Sequence, residues 1–132
     1  MKSICVIGSG ISGSTVANLL SKKYKVDVYE KAKGIGGRSS HRRYLNKLGF
    51  DHGLQYISPK TSKFKKFCSG LQKKRVLKKW QGPHNFDHSK VLENKKHTKL
   101  IGAKGNNAIS KYLLKNINCI FGYELFKIER IR

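Results

Sequence analysis

Six residues near the start of the chain restrict its folding more than any others. They are Gly8-Ser9-Gly10-Ile11-Ser12-Gly13, set between an apolar β-branched run and a stretch of helical periodicity. Lys2-Ser-Ile-Cys-Val-Ile7 is short, apolar and closed by glycine, which suits a strand buried in a parallel sheet. After the glycines, Val16, Ala17, Leu19 and Leu20 recur at helical spacing. Ser21-Lys22-Lys23 then brings cations to the last turn, where the helix dipole favours them. Lys25-Val-Asp-Val-Tyr-Glu30 alternates as a second strand. Strand, glycine turn, helix and strand in about thirty residues have the size of a βαβ unit, so an α/β fold is expected.

Each glycine has a distinct task in such a turn. Gly8 permits the sharp bend, Gly10 lets backbone approach a ligand without a Cβ in the way, and Gly13 lets the helix pack on the strand. The unpaired N–H groups of the first helical turn, including those of Ile11 and Ser12, then face an anion together with the positive end of the helix dipole. A dinucleotide pyrophosphate is the ligand that this geometry fits. Glu30, at the end of the second strand, stands where an acid accepts hydrogen bonds from ribose hydroxyls. A carboxylate there repels a 2′-phosphate, so a plain ribose is expected.

The next residues carry a second glycine motif. Lys31-Ala-Lys-Gly-Ile-Gly-Gly37-Arg38 resembles the glycine, any residue, glycine, glycine, arginine stretch that follows the ribose acid in flavoproteins of the amine-oxidase superfamily. Physically, Gly36 and Gly37 bring backbone to the cofactor, and the planar fork of Arg38 can neutralise pyrophosphate charge. Phe50-Asp-His-Gly53-Leu-Gln55-Tyr56 resembles the segment that runs past the flavin ring in the renalase-like branch of that superfamily. Leu100-Ile-Gly-Ala-Lys-Gly-Asn106-Asn-Ala-Ile109 is similar to a helix-opening stretch of the same branch, with Asn106 where methionine is usual. Tyr123-Glu-Leu125-Phe-Lys-Ile128 resembles the strand whose backbone brackets the adenine.

The resemblance implies an α/β, Rossmann-like FAD/NAD(P)-binding fold with a central parallel sheet, truncated, plus a few antiparallel strands. It implies FAD as cofactor and hydride transfer from a reduced small-molecule substrate, of amine or reduced-nicotinamide type, to flavin. The cofactor-binding residues expected are Gly8, Gly10, Ile11, Ser12, Gly13, Glu30, Lys31, Gly37, Arg38, Gly53, Gln55, Tyr56 and Leu125. No catalytic residue is assigned. Flavoproteins of this kind are two to three times longer, so residues 1–132 are expected to be the amino-terminal portion of a dinucleotide-binding domain. The substrate domain is largely missing, and a separately encoded carboxy-terminal half is one source of it.

Elsewhere the pattern is plainer. Arg38 to Tyr44 is a basic polar run, and residues 60–71 read as a helix with Phe64, Phe67, Cys68 and Leu71 on one face. Val76, Leu77 and Trp80 suggest a strand edge, Gly82 to Asn85 a loop, and Lys99 to Ile101 a strand. Ala108, Ile109, Tyr112 and Leu113 line a helix, and Cys119 to Phe121 and Leu125 to Ile128 two more strands. Phe64, Phe67 and Trp80 are expected in the core. Asp51-His52 is read as holding its loop rather than as an acid/base pair, and His84-Asn-Phe-Asp87-His88 as a solvated loop rather than a metal site.

Composition narrows the remaining classes. The chain has 29 Lys+Arg against 7 Asp+Glu, a net charge of +22. Such a charge attracts phosphate, nucleic acid or anionic lipid without naming any of them. With no aromatic RNA-binding signature and no zinc-finger spacing, a nucleic-acid-binding protein is the disfavoured alternative; a stand-alone NAD-binding domain is another. Cys5, Cys68 and Cys119 lie far apart without a CxxC pair, which argues against a disulfide framework or zinc site and fits a reducing cytoplasm. Glycines and serines interrupt the first twenty residues, so a secretory leader is not expected there, and neither is a membrane partner, since no apolar run reaches the ~18 residues of a span.

Overall fold

The structure is a computed structural model that describes residues 2–45, 48–81 and 98–130. Its first layer is built by the βαβ unit. Strand β1 (Ser3–Ile7) leads into helix α1 (Ile11–Leu20) and returns as β2 (Lys25–Glu30), which lies parallel to β1 with Ser3 opposite Lys25 and Ile7 opposite Tyr29. The last strand, β7 (Asn118–Phe121), adds to the other edge of β2, also parallel, giving the order β1-β2-β7. Val6, Val26 and Val28 from the strands pack on Ala17 of α1 and on Leu114, and form one buried cluster. Each fully buried valine of this kind contributes about 1.5–3 kcal/mol, so alternation along β2 is what fixes its register.

A second cluster lies under the middle of the chain. Helix α2 (Ser62–Lys73) buries Cys68 and Leu71 against Leu77 of β5 (Leu77–Lys79) and Leu100 of β6 (Leu100–Gly102), together with Ile57 and with Ile109 and Leu113 of α3 (Ala108–Leu113). Strands β5 and β6 are antiparallel, and Ile57 exchanges both backbone hydrogen bonds with Leu100 at 2.7 and 2.8 Å. A parallel sheet with short antiparallel pairs is therefore the architecture, as the sequence suggests.

Several local expectations need correction. The basic run Arg38 to Tyr44 is a 3-10 turn (Gly37–Ser39) followed by β3 (His41–Tyr44), paired antiparallel to β4 (Leu48–Asp51). Seven of these eight strand residues are exposed, so the hairpin has no buried face to write an apolar alternation into the sequence. Leu125 to Ile128 forms no strand: its residues alternate correctly, yet Phe126 is 91% and Ile128 80% exposed and no ladder holds them. Phe64 and Phe67 are each 38% exposed and stack on one another instead of entering the core. Trp80 is half-buried and stacks on Tyr56.

Candidate functional site

The site begins where β1 stops. Gly8 adopts φ +92°, a conformation open to glycine, and its N–H still donates to the Tyr29 carbonyl at 2.8 Å, so the turn leaves β1 without breaking the ladder. Helix α1 then starts at Ile11 with no side-chain cap from Gly10 and no acid in its first turn. Its leading N–H groups therefore keep a positive field for an anion. A methyl on Gly13 would overlap the Gly8 carbonyl oxygen, which is why the helix can pass so close beneath the turn. A methyl on Gly10 meets nothing nearer than the Gly37 Cα at 3.9 Å. Gly10 is small because the space in front of it is wanted, not because the backbone requires it.

The second glycine motif is packed on the first. Gly36 (φ +136°) donates its N–H to the Ser9 carbonyl at 3.2 Å and bridges Gly10, and Gly37 (φ +54°) lies so close that a Cβ would stand 3.2 Å from the Gly10 Cα. Two glycine loops thus meet backbone to backbone. Beside them, Leu54 donates its N–H to the Arg38 carbonyl at 3.1 Å, and Gly53 has no room for a side chain against the same carbonyl. Together these segments enclose a cleft of about 770 Å³, lined by residues of the first turn (Ile7, Gly8, Gly10, Ile11, Ser12, Gly13), of the second (Gly36, Gly37, Arg38, Ser39), and by Gly53 and Leu54. That volume is within the range of small-molecule and cofactor sites, about 300–1,000 Å³.

Charge is arranged around this cleft. Arg38 is exposed at its rim, and no hydrogen bond or ion pair engages its guanidinium among the described residues. Glu30 lies behind the first glycine turn and is buried, with Oε2 accepting from both the N–H and the hydroxyl of Ser9 at 2.7 Å and Oε1 from the Ala32 N–H at 2.9 Å. Burial alone would raise its pKa. The bonds from Ala32 and Ser9, with Lys31 nearby, outweigh burial and hold the carboxyl below the usual glutamate range, so it is an anion at neutral pH.

Of the residues expected from sequence, Gly8, Gly10, Ile11, Ser12, Gly13, Gly37, Arg38 and Gly53 are brought to one cleft. The others lie elsewhere. Lys31 points outward to Glu124 at 3.5 Å, Leu125 is half exposed beyond β7, and Gln55 is exposed after the loop. Tyr56 stacks on Trp80 with ring centroids 5.3 Å apart, and the Lys99 ammonium sits 4.4 Å over it. Ile7, Ser39 and Leu54 line the cleft without having been singled out; Ile7 and Leu54 are direct neighbours of required glycines, a signal that sequence reading could have used.

Asn106 is the support that sequence reading misjudged. It is 1% exposed; its Oδ1 accepts from the Gly102 N–H at 2.9 Å, its Nδ2 donates to the Leu54 and Gln55 carbonyls at 2.5 and 3.3 Å, and its own N–H donates to Asp51 Oδ1 at 2.8 Å. It ties the cleft wall at Leu54 to the β6–α3 turn. Asp51 also lies 3.0 Å from His41 Nδ1, whereas His52 meets Ser40 at 3.3 Å, so Asp51 and His52 are not partners and both serve to hold their loop. Among the described residues no cluster of His, Cys, Asp and Glu could hold a metal ion, and His84, Asp87 and His88 lie outside them. No helix among the described residues is long and apolar enough to cross a membrane.

Residues 6–71, half of the chain, match a family model described as an NAD(P)-binding Rossmann-like domain. The matched span takes in both glycine loops, Glu30 and the Gly53–Leu54 wall.

Proposed function

Since the chain belongs to the NAD(P)-binding Rossmann-like family, a domain found in FAD-dependent oxidoreductases, we propose that it is the FAD-binding part of a renalase-like oxidoreductase of the amine-oxidase superfamily. The observation that carries FAD is the second glycine loop, packed on the first and presenting an unengaged Arg38 to the cleft. A nicotinamide dinucleotide needs only the first loop and the acid; a second glycine wall with its own cation suits a cofactor whose pyrophosphate is gripped from two sides.

In this reading the α1 N-terminus and Arg38 hold the pyrophosphate, and the space before Gly10 admits its oxygens. Ionised Glu30 faces the ribose end, where lone pairs remain beside the bonds from Ser9 and Ala32. Flavin, when bound, supplies the hydride acceptor for a reduced amine or nicotinamide substrate. Gly53 gives that ring a flat wall, and Gln55, Tyr56, Lys31 and Leu125 are placed near the cofactor by resemblance alone. Residues 1–132 are the cofactor-binding portion, acting in the cytoplasm with a carboxy-terminal half. Support for such a partner comes from the apolar surface left open on the first layer: Ile7, Val16 and Leu19 are 46–59% exposed.

The test is a titration of the purified chain with FAD, NAD⁺ and NADP⁺, followed by flavin fluorescence and by thermal shift. FAD is expected to bind best, and Arg38→Ala to weaken it at least tenfold while leaving the unliganded melting temperature unchanged. Preference for NAD⁺ would replace this reading by that of a stand-alone nicotinamide-binding domain; binding of none would end both.

A further inference from the structure

The seven acidic residues are unevenly placed. They stand at positions 27, 30, 51, 87, 93, 124 and 129, so the described residues 52–81 and 98–123 contain none. Those same residues carry nine and four Lys or Arg, and they make up the body built on α2, β5, β6 and α3, with its own buried cluster. No carboxylate within this body answers that charge. Lys111 of α3 shows the consequence locally, since burial and the repulsion of Arg43 both hold its ammonium below the usual lysine range.

Helix α2 adds an apolar element to this cationic surface. Thr61 caps it by accepting from the Phe64 N–H at 3.3 Å, which fixes the first turns. Phe64 and Phe67, three residues apart, border the face that buries Cys68 and Leu71, and their rings stack with centroids 6.2 Å apart and planes at 20°. Lys63 and Lys66 immediately precede the two rings, and Lys65 lies between them. Exposed aromatic edges with ammonium groups alongside are the elements of an interfacial helix: rings at the acyl boundary, cations at the phosphates.

We propose that α2 is a peripheral docking face for an anionic phospholipid surface, with Phe64 and Phe67 inserted and Lys63, Lys65 and Lys66 on the headgroups. Charge complementarity selects an anionic occupant. The stacked rings favour lipid over single-stranded nucleic acid, because each already gives one face to the other, whereas base stacking needs free faces. The contact is superficial, so it requires no membrane-crossing helix.

The full chain is sedimented with vesicles of phosphatidylcholine alone and with about 30 mol % phosphatidylserine added, at low and high salt. Binding to the anionic vesicles only, weakened by salt and reduced at least tenfold in Phe64→Ser/Phe67→Ser, is the expected result. Lys63→Gln/Lys66→Gln should also weaken binding and lessen its salt dependence. Circular dichroism of each variant shows whether the fold is retained. Equal binding to neutral vesicles, no binding, or binding unaffected by loss of both rings overturns the proposal. So does tighter association with a single-stranded oligonucleotide that the ring variants abolish while vesicle binding persists.

Discussion

Replacing Asn106 by leucine, which has a similar shape but no polar atoms, isolates what the asparagine contributes. Three side-chain hydrogen bonds disappear: one from the buried Gly102 N–H and two to the Leu54 and Gln55 carbonyls. A buried donor left without an acceptor costs about 1–3 kcal/mol, and the carbonyls, reachable by water, about 1 kcal/mol together. The expected loss is therefore about 3 kcal/mol. At about 4 °C per kcal/mol for a chain of this size, the melting temperature should fall by roughly 10 °C. Thermal unfolding followed by circular dichroism measures it. Because the bonds to Leu54 and Gln55 hold the cleft wall, FAD affinity measured well below the transition should drop as well. A fall of less than about 2 °C with unchanged affinity would refute the view of Asn106 as the tie between wall and turn.

Other outcomes follow from the same geometry. Gly10→Val should fold with a melting temperature within about 2 °C of the parent, since only the Gly37 Cα lies within 4 Å of a new methyl, but lose at least tenfold in FAD binding by fluorescence titration. Gly13→Ala, ordinarily stabilising by about 1 kcal/mol in a helix, should here destabilise by about 1–3 kcal/mol in urea unfolding, because the methyl meets the Gly8 carbonyl oxygen. Glu30 has a folded pKa below its unfolded one, so its stabilising contribution is complete above the ordinary value of about 4.3 and fades as pH falls through the lowered one. The gap in stability between the parent and Glu30→Gln should accordingly narrow at acid pH. A gap of constant size from pH 7 to pH 3 would contradict the bonding described for this carboxyl.

What the sequence revealed and what it hid divide along physical lines. The βαβ unit was legible because its signals are local: alternation along Lys25–Glu30 is written by one buried face, and the glycines by a turn with no room or a positive φ. The β3–β4 hairpin was hidden because it has almost no buried face. Leu125 to Ile128 misled for the opposite reason: it has the alternation of a strand but no strand beside it to bond with. Phe64 and Phe67 fit the helical period, yet period does not say how wide the covered stripe is, and Cys68 and Leu71 fill it. Asn106 was invisible as a tie because its partners lie about fifty residues earlier in the chain.

The meeting of the two glycine loops has a consequence for how this chain can change over time. Where Gly10 faces Gly36 and Gly37, the wall is made of peptide units and not of rotamers. Peptide donors and carbonyls cannot be altered by exchanging one side chain for another, so the lysine-rich exterior is free to drift while this surface keeps its shape. The tolerance ends abruptly at Gly13, Gly36 and Gly53, where one added carbon collides with backbone or a packed side chain. Its history should therefore read as near-invariance at a few glycines amid wide latitude elsewhere.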